Sequence, residues 1–227
     1  MTSNQQVETV LLNLGPLPIS ETVVTTWAVM LCLLIVCWLS ARRLVLEPGG
    51  WQVVLEGMIG AIQDAIEAVL PECALTVLPF VASLWIFLVF ANLIGIVPGL
   101  HSPTADLSTT SALALLVFLS VHWYGIRIHG LRQYVRHYVE PNPILLPFHI
   151  VSEISRTIAL AVRLFGNIFS LEMAALLILL VAGFLVPVPV LLLHIVEALV
   201  QAYIFGMLAL IYIAGGIESL EMKRTKE

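Results

Sequence analysis

Apolar residues run in long blocks along this chain, and the polar positions between them mark where it turns. The first block covers about Thr22 to Leu44 and closes on Arg42 and Arg43. Glu47-Pro48-Gly49-Gly50 follows, which turn chemistry reads as a break. From Trp51 to Leu70 the pattern changes to a helical period. Trp51, Leu55, Met58, Ile62, Ile66 and Val69 share one face, and Gln52, Glu56, Gln63 and Glu67 share the other. A membrane span would not carry that acidic stripe, so an amphipathic helix at an interface or against a partner is predicted. Anionic lipid would favour basic residues there, so a protein partner or a tucked surface position fits better than lipid recruitment.

Pro71 ends that helix, and a second span runs from about Leu75 to Val97. Pro98-Gly99 and a polar loop, His101 to Thr110, lead to a third span from about Ser111 to Ile128. A basic stretch and the breaker Pro141-Asn142-Pro143 come next. From Phe148 to Val186 there is no proline, and the only glycines are Gly166 and Gly183. Those 39 residues as a helix would reach about 58 Å at roughly 1.5 Å each, against a hydrocarbon core of about 30 Å. One long, steeply tilted helix over 144–186 is therefore predicted, with Gly166 the place for a bend. Pro187-Val188-Pro189 reverses the chain into a second long helix over 190–217, and 218–227 is read as a tail.

The fold class expected is an all-α polytopic membrane protein, a single membrane domain of about five spans and one amphipathic helix. Composition agrees, with 60% hydrophobic and 11% charged residues, where a soluble domain has about 25% charged. Residues Met1 to Ser20 hold no basic residue and no signal-peptide pattern, and read as mature sequence. Eight of the ten Lys and Arg flank the spans: Arg42, Arg43, Arg127, Arg132, Arg136, Lys223, Arg224 and Lys226. All fall on one side if the N-terminus is outside and the C-terminus in the cytoplasm. Cys32, Cys37 and Cys73 show no metal or disulfide spacing and read as small buried hydrophobes. No phosphate loop, catalytic triad or basic-aromatic surface appears, so no cofactor, nucleotide or nucleic acid is expected on this chain.

Only Arg156 and Arg163, of the basic residues, lie within an apolar segment. A charge at bilayer depth costs roughly 2.5–3.5 kcal/mol on insertion scales, and arginine cannot escape by losing its proton. On the first long helix His149, Glu153 and Arg156 follow at i, i+4 and i+7, and Asn167 lies one turn beyond Arg163. Glu172 sits half a turn round from Arg163. On the second, His194, Glu197 and Gln201 form one stripe. Taken singly, Asn167 and Gln201 read as interhelical glue, His194 as a core histidine, and Glu153 with Arg156 as a surface pair. Segregated to faces of two antiparallel helices around a fixed cation, they read as a proton relay.

At these residues the chain resembles subunit a of the F-type rotary ATP synthases. Ala161-Val162-Arg163-Leu164-Phe165-Gly166-Asn167 is similar to that family's signature, and Leu199-Val200-Gln201-Ala202-Tyr203-Ile204-Phe205 to its partner motif. Ala91-Asn92-Leu93 and Pro103-Thr104-Ala105-Asp106-Leu107-Ser108-Thr109-Thr110 resemble the ends of its earlier spans. The resemblance implies a stator channel, no catalysis by the chain alone, and a bacterial plasma membrane. Its partners would be a rotating c-ring, peripheral-stalk b subunits and membrane lipid. Arg163 would face the rotor carboxylate, with Asn167 and Gln201 beside it and Glu172 and His194 lining the outer half-channel. Some members carry a carboxylate at the position of His149, and Glu153, one turn on, is the substitute here. Glu197 matches no family position. A sodium-translocating form of the same subunit and, in another class, a secondary transporter are the alternatives; no internal repeat favours the latter.

Overall fold

Among the residues that the computed structural model describes (10–14, 17–42, 49–97, 100–131, 134, 146–182 and 188–224), the apolar blocks are helices. They are α1 (Glu21–Arg42), α2 (Gly50–Glu67), α3 (Ala74–Leu93), α4 (Leu107–His129), α5 (Leu146–Ala182) and α6 (Val188–Arg224). All but α2 are long and apolar enough to cross a membrane. This is an all-α polytopic membrane protein, preceded by a small antiparallel hairpin, Val10–Leu14 with Leu17–Ser20, that the hydropathy pattern does not predict. Arg43, Arg132, Arg136 and Lys226, together with the Pro141-Asn142-Pro143 breaker and residues 1–9, lie outside the described residues.

Several ends differ from expectation for identifiable reasons. α4 begins at Leu107 instead of Ser111, because Asp106 caps it: Asp106 Oδ1 accepts from Ser108 N at 2.9 Å. It stops at Gly130, whose φ of 83° suits glycine alone. α5 is one continuous helix through Gly166, as expected of a single long element. α6 starts at Val188 with Pro189 in its first turn, where the missing N–H has no partner to lose. It passes Gly215 and Gly216 and runs to Arg224 instead of ending at 217, since good helix formers follow.

α6 is the axis of the packing. Ala198, Ala202 and Gly206 follow at i+4 spacing, and this stripe of small residues lets neighbours approach closely. A Cβ on Gly206 would lie 2.3 Å from Trp85 Nε1, so α3 rests its indole directly on α6. One core cluster joins the end of α2 and α3 to α6 through Ile66, Val77, Val81, Trp85, Leu210 and Ile213. The other joins α3, α4, α5 and α6 through Leu88, Val117, Leu160, Leu164, Ile168 and Phe205.

The two remaining helices sit outside this bundle. On α2 only the C-terminal half of the apolar stripe docks, with Ile66 fully buried; Trp51 and Met58 stay exposed. Its polar face is laced by Gln52–Glu56 and Gln63–Glu67 hydrogen bonds of 2.7 Å. On α1 only Val29 is buried among its described side chains. Cys32 and Cys37 are therefore exposed and Cys73 half-buried, which corrects the reading of all three as interior hydrophobes.

Candidate functional site

Where α3 ends, two short 3-10 turns, Ile94–Ile96 and Pro103–Ala105, bring a polar cluster against α5 and α6. Asn92 is fully buried in it. Its Nδ2 donates to the Ala198 carbonyl at 3.1 Å and its Oδ1 accepts from Thr104 Oγ1 at 2.7 Å. Ser102 Oγ donates to the Ala91 carbonyl at 2.8 Å. These bonds fix the loop to α6, and they satisfy polar groups that would otherwise be expensive to bury.

Glu172 of α5 rests on that platform. Its Oε1 accepts from Ser102 N at 2.7 Å, and its Oε2 lies 3.8 Å from His101 Nδ1. Gly95 leaves room for it, since a Cβ there would come within 2.6 Å of Oε1. His194 of α6 is buried on the same platform, with Nε2 at 3.2 Å from the Asn92 carbonyl. A carbonyl only accepts, so Nε2 holds a proton in this bond. His194 is also within electrostatic reach of the Glu172 carboxylate. The fold thus brings Glu172 and His194 to one cluster.

Arg163 lies near the centre of the Pro147–Val181 span and is exposed on the isolated chain. Among the described residues none forms an ion pair or hydrogen bond with it. Leu164, one position on, is fully buried, so the helix turns its apolar side inward and its cation outward. Asn167, one turn along, donates from Nδ2 to Gln201 Oε1 at 2.8 Å. Gln201 is buried, and its Nε2 has no hydrogen-bond partner among the described residues. Glu197 is half-buried and forms no ion pair with His194, although both lie on one stripe of α6.

A third group lines a cavity of about 310 Å³ between α4, α5 and α6, at the end of the bundle that carries Arg127. Here Glu153 Oε2 lies 3.5 Å from His122 Nε2, while His122 Nδ1 is 2.9 Å from the Phe118 carbonyl. The carbonyl requires a proton on Nδ1, and Nε2 faces the carboxylate. His149, Arg156, Tyr134 and Tyr212 also line it, with Ser152 and Thr157. Arg156 lies over the Tyr212 ring, 4.7 Å from its centroid, and Glu153 takes His122 as its ion-pair partner. Sequence reasoning found His149 and Glu153 but missed His122. Asn92 and Thr104 stand in the sequence only as parts of motifs, and nothing in the pattern marks His101, Ser102 or Gly95. A histidine inside the apolar α4 was the one available signal; its partner is 31 residues away in the chain.

The profile of the family described as ATP synthase A chain matches residues 23–214. ATP synthase subunit a 2 of Pelobacter propionicus is 64% identical over 215 residues, covering 95% of this chain and 94% of its own length. ATP synthase subunit a of Legionella pneumophila (strain Philadelphia 1) is 57% identical over 216 residues, covering 95% and 94%. That of Moorella thermoacetica is 40% identical over 214 residues, covering 94% and 97%.

Proposed function

The chain belongs to the ATP synthase A chain family and is an integral membrane subunit a of an F-type ATP synthase, and from that premise we propose that it is the stator half of a proton path. Two half-channels, open to opposite sides, load and unload carboxylates on a rotating c-ring. Glu172 and His194 serve the outer one, with Glu197 beside them. Glu153, His149 and His122 serve the inner one, through the cavity. Arg163, flanked by Asn167 and Gln201, stands between. Peripheral-stalk b subunits hold the chain still, in a bacterial plasma membrane with the N-terminus outside.

The observation that carries this reading is the exposed, unpaired Arg163 in the middle of an apolar span. A permanent cation on that face is too costly to turn to lipid, so the face calls for a partner bearing negative charge. Spacing supports a moving carrier. Arg163 is nine residues from Glu172, about 13 Å of helix, and ten from Glu153, about 15 Å. Leu160, Leu164 and Ile168 fill the interior between. No single hydrogen bond crosses such gaps, and a group that travels from one cluster to the other would carry the proton between them. The cation keeps that group ionised as it passes. At an effective dielectric of about 20, a pair at 4 Å is worth roughly 4 kcal/mol, and hydration must weaken it for rotation to continue. The driving term is about 2.3 kcal/mol per charge per 100 mV. The buried, orphaned Gln201 Nε2 is a donor suited to the same partner.

The test is Arg163→Ala and Arg163→Lys in the assembled enzyme. Both lose ATP-driven proton pumping while the complex still forms, because lysine can deprotonate in a dry site and lacks the planar fork. Normal pumping by the lysine variant refutes the assignment.

A further inference from the structure

We propose that His101 is the outer entry residue of this path, an exposed imidazole that passes protons between the aqueous medium and the Glu172 carboxylate. The inference rests on the proton-path reading above and adds a residue to it.

The two partners differ sharply in exposure. The His101 side chain is 60% exposed and that of Glu172 only 11%. Bulk water therefore reaches the imidazole far more readily than the carboxylate. The contact is also directional. Glu172 Oε1 is held by Ser102 N at 2.7 Å, which leaves Oε2 as the oxygen offered to a proton. That oxygen is the one facing His101 Nδ1, at 3.8 Å. A rotation of the exposed side chain, fast on a nanosecond scale, or one bridging water closes the remaining gap.

The step balances. A hydronium ion of the medium, or water with hydroxide left behind, protonates neutral His101 at Nε2, and the imidazolium gives its Nδ1 proton to the ionised Glu172 Oε2; a flip of the exposed ring then resets the tautomer. The N–H bond breaks, an O–H bond forms, and the imidazole returns neutral. Histidine suits this position because either ring nitrogen can take up a proton and the protonated ring can give one up from the other.

The surroundings leave His101 few other partners. Glu172 faces it from α5, and His194 of α6 acts on the same carboxylate. α3 brings no titratable residue to this end, only Asn92. Asp106 is turned away to Ser108 and Thr22. The loop itself is recessed. α5 continues ten residues beyond Glu172, about 15 Å, and α6 has six before His194, about 9 Å. Irregular backbone at such depth survives only inside protein or beside water. Ser102, Pro103 and Thr104 are inside, whereas His101 points out.

The test uses the complete ATP synthase in proteoliposomes, with ATP synthesis measured against pH on the entry side at constant total driving force. His101→Gln and His101→Ala are both expected to lose rate several-fold at neutral entry pH, with the gap widening as the medium becomes alkaline. A membrane-impermeant buffer that titrates near neutral, added on the entry side, should restore them and leave the wild type unchanged. Three results overturn the assignment: a wild-type rate for His101→Gln at every pH, full restoration by glutamine of what alanine loses, or a loss insensitive to both pH and buffer. The last two would make His101 a prop for Glu172. Arg163→Ala in the same preparation separates the levels. If it too makes ATP, the path reading has failed; if it is dead while His101→Gln is normal, only the entry residue is wrong.

Discussion

Gly95→Ala is the smallest perturbation that reaches the outer cluster. Its added Cβ would stand 2.6 Å from Glu172 Oε1, 3.1 Å from Ser102 Cβ and 3.4 Å from Ser102 N. The backbone is no obstacle, since the only positive φ among the described residues is at Gly130. The carboxylate must therefore yield, moving from 2.6 Å to the 3.4 Å of ordinary contact, a retreat of about 0.8 Å. Taken along the bond, that lengthens the 2.7 Å hydrogen bond from Ser102 N to about 3.5 Å, beyond the usual N–H···O range. A hydrogen bond to a charged group is worth about 1.5–3 kcal/mol. Glu172 is flexible and can turn toward His101, so the lower end applies. About 1.5 kcal/mol corresponds to roughly tenfold in rate. ATP synthesis by the reconstituted enzyme should fall by about that factor, with the complex assembled normally. Gly60→Ala, whose Cβ meets nothing within 4 Å, is the control and should change nothing. A wild-type rate for Gly95→Ala at equal assembly would remove the Ser102–Glu172 contact from the mechanism.

Gly206→Ala drives a Cβ to within 2.3 Å of the Trp85 ring, which is rigid and stacked on Tyr203 at 5.8 Å. Overpacking of this kind costs about 1–3 kcal/mol, so the thermal midpoint in detergent should drop; an unchanged midpoint contradicts the α3–α6 packing. After serines replace Cys32, Cys37 and Cys73, Glu172→Cys should react with a water-soluble thiol reagent from the side of the 101–106 loop. His194→Cys should react more slowly from that side, being buried; labelling of either only from the opposite side overturns the orientation. Glu197→Gln should slow proton flow most at alkaline pH if Glu197 relays to His194. Normal pumping from pH 6 to 9, together with failed assembly of Glu197→Ala, would make it structural.

Hydropathy alone was enough to predict the helices, because a bilayer demands about 20 apolar residues per span whatever the neighbours are. It failed at ends governed by a single contact, such as the Asp106 cap on α4. It also assigned one apolar face to the whole of α2, yet only the part around Ile66 packs into the core, against α3, while Trp51 meets no core. Period reports which residues could be buried together, not how far a neighbour extends. The same limit holds at the site. Arg163, Glu172 and His194 stand out because charge and titratable groups are rare in apolar runs. Asn92, Ser102 and Thr104 do not, since their importance lies in bonds between segments over 100 residues apart in the case of Asn92 and Ala198. His122 meets Glu153 only when α4 and α5 pack.

The sparse attachment of α1 bears on how the molecule is built. Among the described residues Val29 is its one buried side chain, and its ties to the rest include Thr22 Oγ1 to Asp106 at 3.0 Å and Trp51 Nε1 to Ser40 Oγ at 3.3 Å. In water such a helix would have little to hold it. In lipid its backbone bonds are closed within itself, and its outward Trp27, Leu31, Leu34 and Trp38 are already at home. Its stability therefore rests more on its own backbone bonds than on packing against the unit formed by α3 to α6. α1 leaves the ribosome before those helices, and it can be inserted and held while the bundle that surrounds Arg163 has yet to be made.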